Sequence, residues 1–81
     1  MNIAFSDRAL NAIAAAPPSV RKAFHKQAAF LAGDLRHPSL HAKKYDEGRD
    51  WWQARVNKNW RFYFTVEDDT YRIQNIISHP K

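Results

Sequence analysis

The hydrophobic period of this chain changes once, near residue 50, and that change constrains the fold more than any other feature. Before it apolar residues recur at helical spacing, and after it they alternate. Leu10, Ile13 and Ala14 stand at i, i+3 and i+4 behind Ser6 and Asp7, either of which can cap a helix ending near Ala16. Pro17 and Pro18 stop that helix, and proline is tolerated in the first turn of the next one. Val20, Ala23, Phe24, Gln27, Ala28 and Leu31 then share one stripe, with Gly33 as terminator. The other side carries Arg21, Lys22, His25 and Lys26, a solvated basic face.

Ahead of the first helix, Ile3, Ala4 and Phe5 read as a short apolar opening. From Asp34 to Asp50 the chain is polar and broken by Pro38 and Gly48, with Lys43-Lys44-Tyr45 fitting a short edge strand. Beyond it Trp52, Ala54 and Val56 alternate with Trp51, Gln53 and Arg55, a turn follows at Asn57-Lys58-Asn59, and Trp60 to Glu67 alternates again. After Asp68-Asp69 a third strand carries Tyr71, Ile73 and Ile77, with Asn75 and Ile76 breaking its parity. The pattern predicts an α+β domain: two N-terminal helices packed on a small, mainly antiparallel, twisted sheet.

At 81 residues the chain has room for one domain, spanning 1–81. With no cysteine it must close on packing alone, and three Trp, three Tyr and five Phe supply the apolar area. Lys and Arg number 13 against 8 acidic residues, a formal charge of +5 that suits a polyanionic partner such as nucleic acid. No stretch approaches the roughly 20 apolar residues of a membrane span, and no targeting segment opens the chain. A cytoplasmic protein with no membrane partner is the expectation.

Alternation assigns Trp52, Ala54, Val56, Phe62, Phe64, Val66 and Ile73 to the sheet face that buries against Leu10, Ile13, Val20, Phe24 and Leu31. Gln53, Arg55, Arg61, Tyr63, Thr65, Arg72 and Gln74 fall on the uncovered face. Arg55 and Arg61 flank the same turn, with Lys58 at its tip. Two adjacent guanidinium groups require an anion between them: either Asp or Glu side chains, or a phosphate. Tyr63 adjoins them, as a strand former or as a reactive phenol. His79 follows the last strand; His25, His37 and His41 lack metal-ligand spacing and read as surface residues.

No glycine-rich phosphate loop, GxSxG elbow or paired-carboxylate pattern is present in the sequence. The remaining inventory of Arg, Lys, His and Tyr calls for no metal or cofactor and suits RNA cleavage by the RNA's own 2′-hydroxyl. A base takes that proton, cations stabilise the phosphorane, and an acid protonates the leaving 5′-oxygen.

The run Trp52-Gln53-Ala54-Arg55-Val56-Asn57-Lys58-Asn59-Trp60-Arg61-Phe62-Tyr63-Phe64 resembles the hairpin of the RelE/ParE toxin superfamily, most closely its HigB-like branch. Two N-terminal helices, the Lys43-Lys44 pair, an acidic turn and a histidine after the last strand follow in family order. The resemblance implies a RelE-like fold and a type II toxin, a ribosome-dependent mRNA endonuclease silenced by a cognate antitoxin. Arg61 matches the arginine that contacts the scissile phosphate, and Arg55 a basic residue on the preceding strand. Lys43 and Lys44 match the basic approach to the sheet, and His79 the C-terminal histidine, a general acid or base. Tyr63 joins the catalytic candidates, and Gln53, Lys58 and Arg72 join Lys43 and Lys44 as RNA contacts. Two other functions fit the resemblance: a ParE-like gyrase inhibitor, and a catalytically weak module that binds an antitoxin or RNA.

Overall fold

The computed structural model describes residues 1–78. Strand β1 (Asn2–Phe5) leads into helices α1 (Asp7–Ala15) and α2 (Pro18–Gly33), then a 3-10 turn (Pro38–Leu40). Strands β2 (Lys43–Asp46), β3 (Trp51–Arg55), β4 (Trp60–Glu67) and β5 (Thr70–Ser78) follow. The five strands form one sheet in the order β1-β5-β4-β3-β2. The β2 to β5 run is an antiparallel meander, as the alternation predicts, and the Lys43 edge strand is present.

The apolar opening turns out to be a strand. β1 runs parallel to β5, with Ile3 opposite Tyr71 and Phe5 opposite Ile73. Four residues are too few to display a period, and their partner lies at the other end of the chain, so local pattern carries no trace of the pairing. Ser6 then fastens the strand to the helix: its Oγ accepts from the Ala9 amide at 3.1 Å and donates to the Gln74 carbonyl at 3.0 Å.

That carbonyl is available because β5 bulges. Phe64 faces Ile73 and Tyr63 faces Asn75, which leaves Gln74 unopposed. The extra residue resets the parity of the strand. Ile76 turns into the core opposite Phe62, and Ile77, expected inside, stands opposite Arg61 and is 41% exposed.

Phe24 of α2 meets Phe62 edge-to-face at 5.3 Å and joins Phe62, Phe64, Leu31, Leu40 and Ile73 as fully buried side chains. Each such aromatic contributes roughly 1.5–3 kcal/mol on burial. Two expected core positions lie outside it. Leu10 is 51% exposed, because α1 buries Ala9 and Ile13 instead, and Val66 lies exposed near the end of β4. Among the described residues no helix is long and apolar enough to cross a membrane.

Candidate functional site

The β3–β4 turn places two arginines face to face. Arg55 and Arg61 are direct cross-strand partners, so their Cβ atoms stand about 5 Å apart on the sheet face without helices. The turn between them is held by Asn57, whose Oδ1 accepts from the amides of Asn59 at 2.9 Å and Trp60 at 3.0 Å. Three turn carbonyls, of Asn57 at 2.8 Å, Trp60 at 3.0 Å and Lys58 at 3.3 Å, accept from Nη1 of Arg61. All of these bonds use one nitrogen, so the Nε and Nη2 donors of that fork are left for another acceptor. The Arg55 Nε is buried and has no hydrogen-bond partner. An orphaned charged donor costs stability unless an acceptor arrives.

No carboxylate among the described residues pairs with either arginine. Of the two anions the sequence leaves open, the internal one is therefore missing. Asp46 and Asp50 sit at the β2–β3 turn with Arg49 and Lys44, and Glu67 pairs with Arg72 at 3.1 Å. The Asp50 carboxylate beside Lys44 holds its ammonium above its ordinary value, and the Arg72 guanidinium and Thr65 hydroxyl hold Glu67 below the usual carboxylate range.

A cleft of about 490 Å³ opens over the arginine pair, lined by His41, Ala42, Lys43, Gln53, Ala54, Arg55 and Arg61. A second hollow continues from Arg55 and His41 toward Asn57 and Lys58. Five of the predicted residues, Lys43, Gln53, Arg55, Lys58 and Arg61, thus meet along one groove.

The architecture around this groove matches solved structures closely. The isolated RelE toxin of E. coli superposes with a TM-score of 0.78 at 16% identity, covering 99% of this chain and 85% of that one. A YoeB/ParE toxin from Agrobacterium tumefaciens gives 0.81 at 8% identity, covering 99% and 100%. A chain of the archaeal RelE-RelB complex from Pyrococcus horikoshii OT3 gives 0.80 at 14% identity, covering 99% and 96%. The chain has the RelE/ParE toxin fold. No family model and no curated protein sequence matches it.

Within this RelE-like fold the other predicted residues are dispersed. Lys44 pairs with Trp52 on the helix side of the sheet, its Nζ 5.3 Å from the indole centroid and bound to Asp50. Arg72 faces Thr65, four residues along β4 from Arg61, and is neutralised by Glu67. Tyr63, expected in the open, is only 6% exposed: Tyr45 and Trp51 cover it, and its hydroxyl accepts from Gln53 Nε2 at 3.1 Å. His79 lies outside the described residues.

Two residues the pattern passes over belong to the groove. His41, read as a surface histidine, lines both hollows and holds a left-handed backbone with φ of 48°. Its signal is its place two residues before Lys43, which spacing rules for metal ligands do not test. Gln27, placed in the apolar stripe of α2, is buried, and its Nε2 donates to the carbonyls of Arg55 at 2.9 Å and Ser39 at 3.0 Å. Its Oε1 accepts from the Ser39 hydroxyl at 3.2 Å, so one side chain ties the end of β3 to the turn that leads into His41. An amide inside an apolar stripe was the signal available in the sequence.

His37 is a structural residue. It stacks on Phe30 with centroids 3.8 Å apart, and its Nδ1 accepts from the Ser39 amide at 3.2 Å.

Proposed function

We propose that this chain is the toxin of a type II toxin–antitoxin pair and that it cleaves mRNA on the ribosome. The observation that carries this reading is a groove that gathers Arg55, Arg61, Lys43 and His41 with no carboxylate among its lining residues. Guanidinium forks match phosphate oxygens, and the vacant donors of Arg55 and Arg61 suit a phosphorane whose negative charge grows during reaction. The RNA 2′-oxygen gives up its proton and attacks phosphorus, the bond to the 5′-oxygen breaks, and that oxygen takes a proton from water, leaving a 2′,3′-cyclic phosphate and a 5′-hydroxyl. His41 is the imidazole that lines the groove, and an imidazole is the side chain best suited to take the 2′-hydroxyl proton near neutral pH. His79, an acid–base candidate by resemblance, lies outside the described residues; among the described residues His41 is the imidazole at the groove.

An antitoxin with an acidic segment fits the same groove by charge. Several chains that superpose on this one come from RelE–RelB and YoeB–YefM complexes, which supports a protein partner of that kind. The direct test is cleavage of mRNA on programmed ribosomes under single turnover. Wild-type protein cuts, and Arg61→Ala lowers the rate about 10²–10³-fold, the cost of removing one charge-stabilising donor group. Intact mRNA together with inhibited gyrase supercoiling overturns the reading in favour of the ParE-like alternative.

A further inference from the structure

The sheet face that carries the groove also carries an aromatic cluster that neither the core nor the cleavage chemistry uses. Tyr63 is the buried centre of that cluster. The Tyr45 ring lies 4.8 Å from it and the Trp51 ring 6.5 Å. Tyr45 is 59% exposed, one of the largest apolar exposures in the fold. It stands where β2 breaks register between Lys44 and Asp46, so no cross-strand neighbour shields it. Gln53 joins cluster and groove: it lines the groove with Arg55 and Arg61, and its Nε2 bonds the Tyr63 hydroxyl at 3.1 Å.

Aromatic rings exposed beside fixed cations are what unpaired nucleobases bind: the cations hold the backbone while each base stacks on a ring. Along β3, Trp51, Gln53 and Arg55 point to the same side, which sets the aromatic end roughly 13 Å from the arginine pair at ~3.3 Å per residue. A nucleotide whose phosphate sits between the arginines can therefore have a neighbouring base over Tyr45. We infer that Tyr45 and Trp51 form a nucleobase-stacking subsite that holds single-stranded RNA beside the scissile phosphate. This rests on the RNA-cleavage reading and adds the residues that grip the substrate's bases. Tyr45 takes no part in proton transfer or charge stabilisation, so its work is binding alone.

The test measures the affinity of the folded protein for a fluorescent single-stranded 2′-O-methyl RNA oligomer, which cannot be cut because its attacking hydroxyl is blocked. Tyr45→Ala weakens binding about five- to a hundred-fold, the range of one lost base stack, while Tyr45→Phe retains it. An abasic oligomer of the same backbone binds wild type and Tyr45→Ala alike. On cleavable RNA Tyr45→Ala raises KM and leaves kcat unchanged. If Tyr45→Ala binds the oligomer as wild type does while Arg61→Ala does not, the subsite is overturned and the cleavage reading stands. Equal loss on the abasic oligomer also overturns it, since the ring then serves the backbone or the fold. Wild-type protein that neither binds nor cuts RNA overturns both.

Discussion

At the scale of single residues, the chemistry turns on which charges have partners. Arg72, Arg49 and Lys44 each face a carboxylate, while Arg55 and Arg61 face one another and the groove. The Glu67 carboxyl, held down first by Arg72 and then by Thr65, titrates below the ordinary glutamate range when followed by NMR, and Arg72→Gln returns it upward. A depressed carboxyl stabilises the fold above its unfolded-state value and loses that contribution as pH falls through the folded one. The difference in Tm between wild type and Arg72→Gln therefore closes in acid. His41 gives a sharper expectation. Asparagine tolerates the left-handed backbone that His41 adopts, so His41→Asn keeps the loop and removes the imidazole. Single-turnover cleavage by His41→Asn falls about 10²–10⁴-fold, with RNA affinity retained. An unchanged rate removes His41 from the proton step.

At the scale of elements, two sets of part-buried polar contacts hold segments that hydrophobic pattern alone does not specify. Ser6 clips the start of α1 to the bulged carbonyl of Gln74, and Gln27 clips α2 to both the end of β3 and the 3-10 turn. Ser6→Ala loses a helix cap and destabilises by about 1 kcal/mol. Gln27→Leu strands two carbonyls and costs roughly 1–3 kcal/mol, both read from urea unfolding. Only Gln27→Leu also slows cleavage, because it alone loosens the seat of Arg55 and His41. Equal activity in the two variants contradicts that positioning role. The same contacts mark how far the sequence could be read. Periods of 3.6 and 2 disclosed both helices, the β3–β4 hairpin and the pairing of Arg55 with Arg61. They were silent on β1, whose partner is distant, and they marked the broken parity at Asn75 and Ile76 without showing that a bulge at Gln74 swaps Ile76 and Ile77 between faces. They also misplaced Tyr63, since alternation names a face without saying what else covers it. His41 sat in an irregular loop, where no period exists to point at a groove.

At the scale of the whole molecule, the +5 charge is sorted by place. The acids sit at the start of α1, in the loop after α2 and around the two turns at one end of the meander, while the β3–β4 turn at the other end gathers arginine, lysine and histidine. A field of one sign over a groove draws a polyanion and orients its phosphate between two guanidinium forks. On the proposed cleavage of RNA the substrate supplies the nucleophile, so the protein need only hold charge and move protons, which an 81-residue chain can do without a deep cavity. The most direct measurement is therefore the chemistry of the ends left on mRNA cut by the wild-type protein on programmed ribosomes. The 2′-hydroxyl route predicts a 2′,3′-cyclic phosphate on the upstream fragment and a 5′-hydroxyl on the downstream one. A 3′-hydroxyl opposite a 5′-phosphate requires water as nucleophile and contradicts the account.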